Sequence, residues 1–325
     1  MNKEIEINPW KIKCIKVLKR EKNFTVYDYC CNKGKSTFTV YDLFPGVQIT
    51  FQDFNTEELI EGNCGNENII EINHCLRGRV EWEFPNNTYS YIGENEISIS
   101  STKYLPTKFC FPLNVYYGMA IVIDKKKITK NFCILLNTLG IDLQDIYNKL
   151  SLDKNWYTNK NNGKINHIFN EIYTARDDGQ IDYFKIKILD VLYFISKLTK
   201  GSKEELKYYS GKQVKKVKEI RQALITNLDK SLKLDNITKD YNMSLSMFRT
   251  IFKQIYGDTP YAYIKKYKMN KAAFLIATTD LNISDIALSL GYLNASKFTE
   301  AFKDINGVLP KDYKKENNFL EHFRY

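Results

Sequence analysis

The sequence predicts an α+β multidomain protein, and three observations carry that expectation. Short runs that alternate apolar and polar side chains fill roughly the first 125 residues, helical apolar spacing begins near Thr129, and one helical pattern recurs 50 residues downstream of itself. A chain of 325 residues is long enough for two domains. The expected division is a barrel or sandwich over 1–125, a helical region over 126–200, a flexible linker over 201–213 and an all-α domain over 214–325.

The strand-like runs are 46–51, 69–74, 80–84, 88–92, 96–100 and 117–123, with turn-formers such as Arg77-Gly78 and Pro85-Asn86-Asn87 between them. They read as a small antiparallel barrel or sandwich. In the helical region, Ile181, Phe184, Ile188, Val191, Leu192, Ile195 and Leu198 form one stripe, which serves either the core or a dimer seam. Lys200-Gly201-Ser202-Lys203 breaks the periodicity. Beyond it, Gly257, Gly291 and Gly307 punctuate helical segments, and Pro260 and Pro310 each follow a glycine by three residues, where proline suits a first helical turn.

No run approaches the ~18 apolar residues of a spanning helix, and the first residues lack the apolar core of a signal peptide. The expectation is a cytoplasmic protein without a membrane partner. Seven cysteines without a C-x-x-C pair indicate neither a disulfide framework nor a zinc site, so they are expected to be reduced, mostly buried thiols. The net charge of +10 is unevenly placed: residues 201–325 hold 22 Lys+Arg against 14 Asp+Glu. A basic C-terminal domain attracts polyanions, of which nucleic acid is the commonest in a cell.

Laid over 298–313, residues 248–263 agree at seven of sixteen positions, giving F-x-x-x-F-K-x-I-x-G-x-x-P-x-x-Y in each copy. Phenylalanines four apart share a helical face and dock it into a core, while the glycine ends the helix and the proline starts another. A short helix and a tight turn precede each copy. In the second, Ala287 is small where a helix must approach, Gly291 lies at the turn, and Asn294 or Ser296 caps the next helix; in the first, Asn242 lies at the turn and Ser244 is the candidate cap. This is a helix-turn-helix layout, twice. A connecting helix over 260–278 would hold the two reading helices about one DNA turn apart, ~34 Å.

At these residues the chain resembles the AraC/XylS family of bacterial transcription regulators. "ISDIALSLGYLNASKFTEAFKDINGVLPKDYKK" is similar to that family's signature, and "MSLSMFRTIFKQIYGDTPYAYIKKYKMNKAAFLI" to its first helix-turn-helix and connecting helix. The resemblance covers 232–315. It implies a C-terminal double helix-turn-helix domain behind an N-terminal cupin-like barrel or jelly roll that senses and dimerises, with activation favoured over repression. "LFPGVQITFQDF" and "IIEINHCLRGRVEWEF" are more weakly similar to the sensor half of the siderophore-responsive members. Double-stranded DNA is then the expected partner, with RNA polymerase if the protein activates, and a homodimer the expected assembly. Thr250 and Glu300 stand where members usually carry arginine, and Lys268 replaces another arginine, which keeps charge but loses the planar fork.

Off the phenylalanine faces, the first reading helix offers Ser246, Met247, Arg249, Thr250 and Lys253, and the second Ala295, Ser296, Lys297, Thr299, Glu300 and Lys303. Arg249 either grips a guanine edge or clamps a phosphate. Lys253, Lys303, Lys265 and Lys266 are assigned to phosphate contacts. Glu300 either meets a cytosine amino group, pairs with a nearby lysine, or sits off the DNA. Phe248, Phe252, Phe298, Phe302, Tyr263 and Tyr313 are expected core anchors.

The alternative is a small-molecule-binding or metal-dependent cupin enzyme fused to a DNA-binding module. Of His74, His167 and His322, only His74 falls in the strand region, beside Cys75, Glu81 and Glu83, and no H-x-H accompanies it. No G-x-S-x-G elbow or phosphate-binding glycine loop occurs, so neither a catalytic residue, a metal ligand nor a cofactor is assigned. Phe51, Trp82, Phe84 and Tyr91 are candidates to line an effector pocket, or are ordinary core. Equally open is a first half that only dimerises or meets another protein.

Overall fold

The computed structural model describes residues 11–12, 15–29, 34–56, 60–63, 68–103, 105–154, 156–160, 163–176, 180–198, 204–205, 207–229 and 233–321. Two compact units divide the chain, Met1–Ser210 and Gly211–Tyr325.

The first unit is an antiparallel sheet with helices on one face. Its longest strand, β7 (Ile69–Phe84), organises the rest. The first half of β7 pairs with β11 (Val115–Asp124) and β9 (Glu96–Ser101), and the second half with β8 (Thr88–Gly93) and β10 (Lys108–Cys110). The expectation of two strands, 69–74 and 80–84, with a turn at Arg77-Gly78 is therefore corrected. Gly78 at φ 88° and a bulge at Leu76, which has no register partner between Tyr117 and Gly118 of β11, bend one continuous strand so that it serves two sheet halves.

Beyond β11 the order continues through β5 (Val47–Thr56), β4 (Gly34–Phe44), β3 (Phe24–Tyr29) and β2 (Ile15–Arg20). At the other end it runs from β10 to β6 (Ile60–Asn63) and β1 (Lys11–Ile12). Among the described strands this path has two ends, so the expected barrel or sandwich takes the form of an open, bent sheet and not of a closed barrel. Closure needs hydrogen bonds between the two terminal strands, and β2 and β1 instead end the order.

Helices α1 (Lys130–Thr138), α2 (Leu143–Lys149), α3 (Gly163–Thr174) and α4 (Ile181–Ser196) follow, with Thr129 capping α1. The α4 stripe is core: Phe184, Ile188, Val191, Leu192 and Ile195 are at most 1% exposed, in one cluster with Ile49, Phe51, Ile72, Ile99 and Ile121 of the sheet. That stripe is not a free dimer seam. A further strand, β12 (Tyr157–Lys160), extends β9 inside the region expected to be helical and carries β13 (Glu204–Glu205) at its other side; β14 (Tyr209–Ser210) pairs with β8. Sheet pairing thus occupies described residues of the expected 201–213 linker, and α5 (Gly211–Thr226) begins within it. An opposite core, between the sheet halves, gathers Phe54, Val80, Trp82, Phe84, Phe111 and Trp156.

The second unit is all helical among its described residues: α5, then α6 (Leu234–Asp240), α7 (Leu245–Tyr256), α8 (Pro260–Thr278), α9 (Ile283–Ser289), α10 (Ala295–Asn306) and α11 (Pro310–Glu321). The central α8 packs against helices of both copies of the repeat.

Candidate nucleic-acid interface

Each reading helix is fixed at its start by a side-chain cap. Ser244 has extended backbone and its hydroxyl accepts from the Met247 amide at 3.3 Å; the Asn294 carboxamide oxygen accepts from the Lys297 amide at 3.1 Å. Of the two expected caps for α10, it is Asn294 and not Ser296. Both helices end at a left-handed glycine, Gly257 at φ 86° and Gly307 at φ 79°, whose amides return to Lys253 and Lys303. Thr259 caps α8 with Pro260 in the first turn.

The buried faces repeat as well. Phe248 and Phe252 of α7 and Phe298 and Phe302 of α10 are 0% exposed. Phe252 meets Tyr263 edge-on at 5.4 Å, as Phe302 meets Tyr313 at 5.6 Å. Full burial of such a ring is worth about 1.5–3 kcal/mol, so the apolar faces hold these short helices in place. Tyr263 and Tyr313 are half-buried and not full core, because each ring seals the edge of its unit. The Tyr263 hydroxyl accepts from Arg221 of α5 at 2.7 and 3.0 Å, and that guanidinium also lies over the Tyr256 and Tyr267 rings. Sequence reasoning missed Arg221; an arginine on the helix before the repeat was its only signal.

The opposite face of α7 leaves Ser246, Met247, Arg249, Thr250 and Lys253 exposed. On α10, Ala295, Ser296, Lys297, Glu300 and Lys303 are exposed and Thr299 is half-buried. The two faces differ in charge. Arg249 and Lys253 are the charged residues of α7, whereas Lys297 and Lys303 on α10 are offset by Glu300 and Asp304.

Lys265 and Lys266 are already engaged. Lys265 bonds Asp304 of α10 at 2.7 Å, and Lys266 bonds Asp258 at 2.8 Å. The Asp304 hydrogen bond raises the Lys265 pKa, and Glu300 adds to the field that keeps this ammonium charged. Each ammonium gives one of its three N–H donors to a carboxylate and stays about half-exposed, so a phosphate would meet it in competition with that pair or beside it. Pairs 39 residues apart carry no sequence signal. Lys268, half-buried with its pKa lowered by burial, lies over the Tyr292 ring at 5.5 Å, tying α8 to the second turn.

In the first unit the four expected pocket residues do not share a pocket. Trp82 borders a cavity of about 50 Å³ between the sheet halves, together with Glu71, Asn73 and Trp156. Phe51 lies on the opposite, helix-facing side against Phe184 and Tyr173, because strand side chains alternate faces. Phe84 packs on Trp156 and Tyr208, and Tyr91 donates its hydroxyl to Glu81 at 2.8 Å. His74 is fully buried, stacked on Phe169 at 4.4 Å with Nδ1 3.2 Å from the Tyr173 hydroxyl, and burial lowers its pKa to about 4. The Cys75 thiol is buried and its pKa is pushed up by burial. Cys14, Cys30, Cys31, Cys64 and His322 lie outside the described residues. Among the described residues no three His, Cys, Asp or Glu side chains form a metal-holding group, and no helix is long and apolar enough to cross a membrane.

A helix-turn-helix domain model matches residues 237–316. The transcriptional regulator AlkR of Acinetobacter baylyi is 33% identical over 89 residues, 27% of this chain, and the chain spans 29% of AlkR's own length. The TetD protein of transposon Tn10 from Escherichia coli is 31% identical over 99 residues, 30% of this chain and 72% of TetD. The transcriptional activator RhaR of Mannheimia succiniciproducens is 22% identical over 274 residues, 83% of this chain and 88% of RhaR. A chain that repeats a capped helix-turn-helix about one shared helix, over the stretch it has in common with these proteins, belongs to the AraC/XylS family.

Proposed function

We propose that this protein is a sequence-specific DNA-binding transcription regulator, with α7 and α10 entering neighbouring major grooves. The observation that carries the reading is the duplication itself: two helices with equivalent caps and aromatic anchors, each offering a polar face. The first turns of a recognition helix reach base edges, so Ser246, Met247, Arg249 and Thr250 of α7 and Ala295, Ser296, Lys297, Thr299 and Glu300 of α10 read sequence, while Lys253 and Lys303 hold phosphates. Lys265 and Lys266 add phosphate contacts beside or in place of their carboxylate partners.

The unit before Ser210 serves as the sensor and dimerisation half. It binds a small effector whose affinity differs between the DNA-competent and incompetent arrangements, without which it cannot regulate. A homodimer in the cytoplasm that activates through RNA polymerase, and is not an enzyme, completes the reading; the relative named as an activator supports that sign. The test is selection of bound genomic fragments by the purified chain, followed by footprinting. A reproducible tract spanning two successive grooves is expected, and selection without any shared tract overturns it.

A further inference from the structure

The two helix-turn-helix units match through the start of their turns and then differ by one residue. In the first, Asn242 takes the left-handed conformation at φ 50°, and the amides of Asn242 and Met243 donate to the Lys239 and Thr238 carbonyls at 2.9 and 3.0 Å. In the second, Gly291 takes it at φ 78°, and the amides of Gly291 and Tyr292 donate to the Leu288 and Ala287 carbonyls, each at 2.9 Å. Met243 and Tyr292 therefore hold the same place. The cap Ser244 follows Met243 directly, whereas Leu293 stands between Tyr292 and the cap Asn294. Gly291 lies 49 residues after Asn242 but Asn294 lies 50 after Ser244, so Leu293 is the added residue.

The added leucine does not brace the turn. An apolar side chain just before a cap commonly packs on the fourth helical residue. In the first unit the residue in that place, Met243, is 7% exposed. In the second, the ring that covers Phe298, the fourth residue of α10, is that of Tyr292, edge-on at 5.6 Å. Leu293 is left 93% exposed, directly before Asn294, Ala295, Ser296 and Lys297, which are exposed as well. A leucine side chain carries no hydrogen-bonding group, so contact stabilises it only by removing apolar surface from water. Among the base edges of the major groove, the apolar group is the 5-methyl of thymine. Ala295, at the first helical position, offers a second methyl.

We propose that Leu293 is a specificity-determining contact of the second unit, meeting the 5-methyl group of a thymine in the groove that α10 enters. This deepens the DNA-reading role given to α10 above and rests on it. Leu293 adjoins the end of α10 whose residues reach base edges, which favours a base over a protein as its partner. Uracil keeps the hydrogen-bonding groups of thymine and lacks only the methyl, so replacing thymine by deoxyuridine isolates the contact. The test uses the full chain and the DNA tract that it selects from random sequence, with each thymine replaced singly by deoxyuridine. Affinities are measured for the wild type and for Leu293→Ala, and melting of both proteins checks their folding.

The wild type is expected to lose affinity about three- to tenfold when a particular thymine in one half of the tract becomes deoxyuridine. Leu293→Ala should bind the two forms of that site equally and melt with the wild type, which makes the loss a coupling between this side chain and this methyl. A selected tract without thymine, wild-type indifference to deoxyuridine at every thymine, a loss of equal size in both proteins, or early melting of Leu293→Ala overturns the assignment and leaves the regulator reading in place. Failure to select any shared tract rejects that reading, and the assignment with it.

Discussion

At the scale of single residues, Gly291 sets the geometry of the second turn. Its φ is 78°, and a Cβ there would stand 2.8 Å from the Asp229 carbonyl oxygen and 2.9 Å from that of Leu228. Gly291→Ala is expected to cost about 1–3 kcal/mol of stability by urea denaturation, through both the left-handed backbone and the clash. Phe302→Ala removes a fully buried ring and should cost about 3–5 kcal/mol, seen as early melting. His74 gives a pH signature. Burial lowers its folded pKa to about 4 from the usual 6.5, so the neutral ring's contribution is complete above 6.5 and is lost as pH falls toward 4. Urea midpoints should decline across that window, and a folded His74→Gln variant should decline less steeply. The anchors and turn glycine were legible because helical spacing and glycine conformation are local. The Lys265–Asp304 and Arg221–Tyr263 pairs were not, since each joins helices whose packing no short-range pattern encodes.

At the scale of elements, α7 and α10 share caps and anchors but not electrostatics. With no acidic residue, α7 should supply more phosphate affinity than α10, where Glu300 and Asp304 offset two lysines. Lys253→Ala should weaken binding to all DNA sequences alike and reduce the salt slope by about 1, whereas Arg249→Ala, if the guanidinium grips guanine, should cost about 1–3 kcal/mol on the preferred site and relax preference at one base. Binding isotherms on matched and mutated sites separate the two. Both copies of the repeat were readable because each is a contiguous block. Strand β7 was misread because Arg77-Gly78 resembles a hairpin turn, and only its neighbours on both sides show that it bends without reversing. The stripe of α4 was legible as apolar, but its partner, the sheet, lies far away in sequence.

At the scale of the whole molecule, the chain pairs a sheet-and-helix unit with one that is helical among its described residues, and the basic excess sits mainly in the second. That division was legible because periodicity changes along the chain. The open course of the sheet was not, because strand order is fixed by long-range pairing. The Phe51 and Trp82 assignments failed to coincide for the same reason: each reads as an aromatic on a strand, but they lie on opposite sides. DNA recognition by paired helices is read out by footprinting of the full chain on its selected genomic fragments across a series of salt concentrations. Two neighbouring major-groove segments should be protected, with log affinity falling against log salt at a slope of about −5 if six phosphates are neutralised. A slope near zero, or no protected tract in dilute buffer, would contradict that recognition.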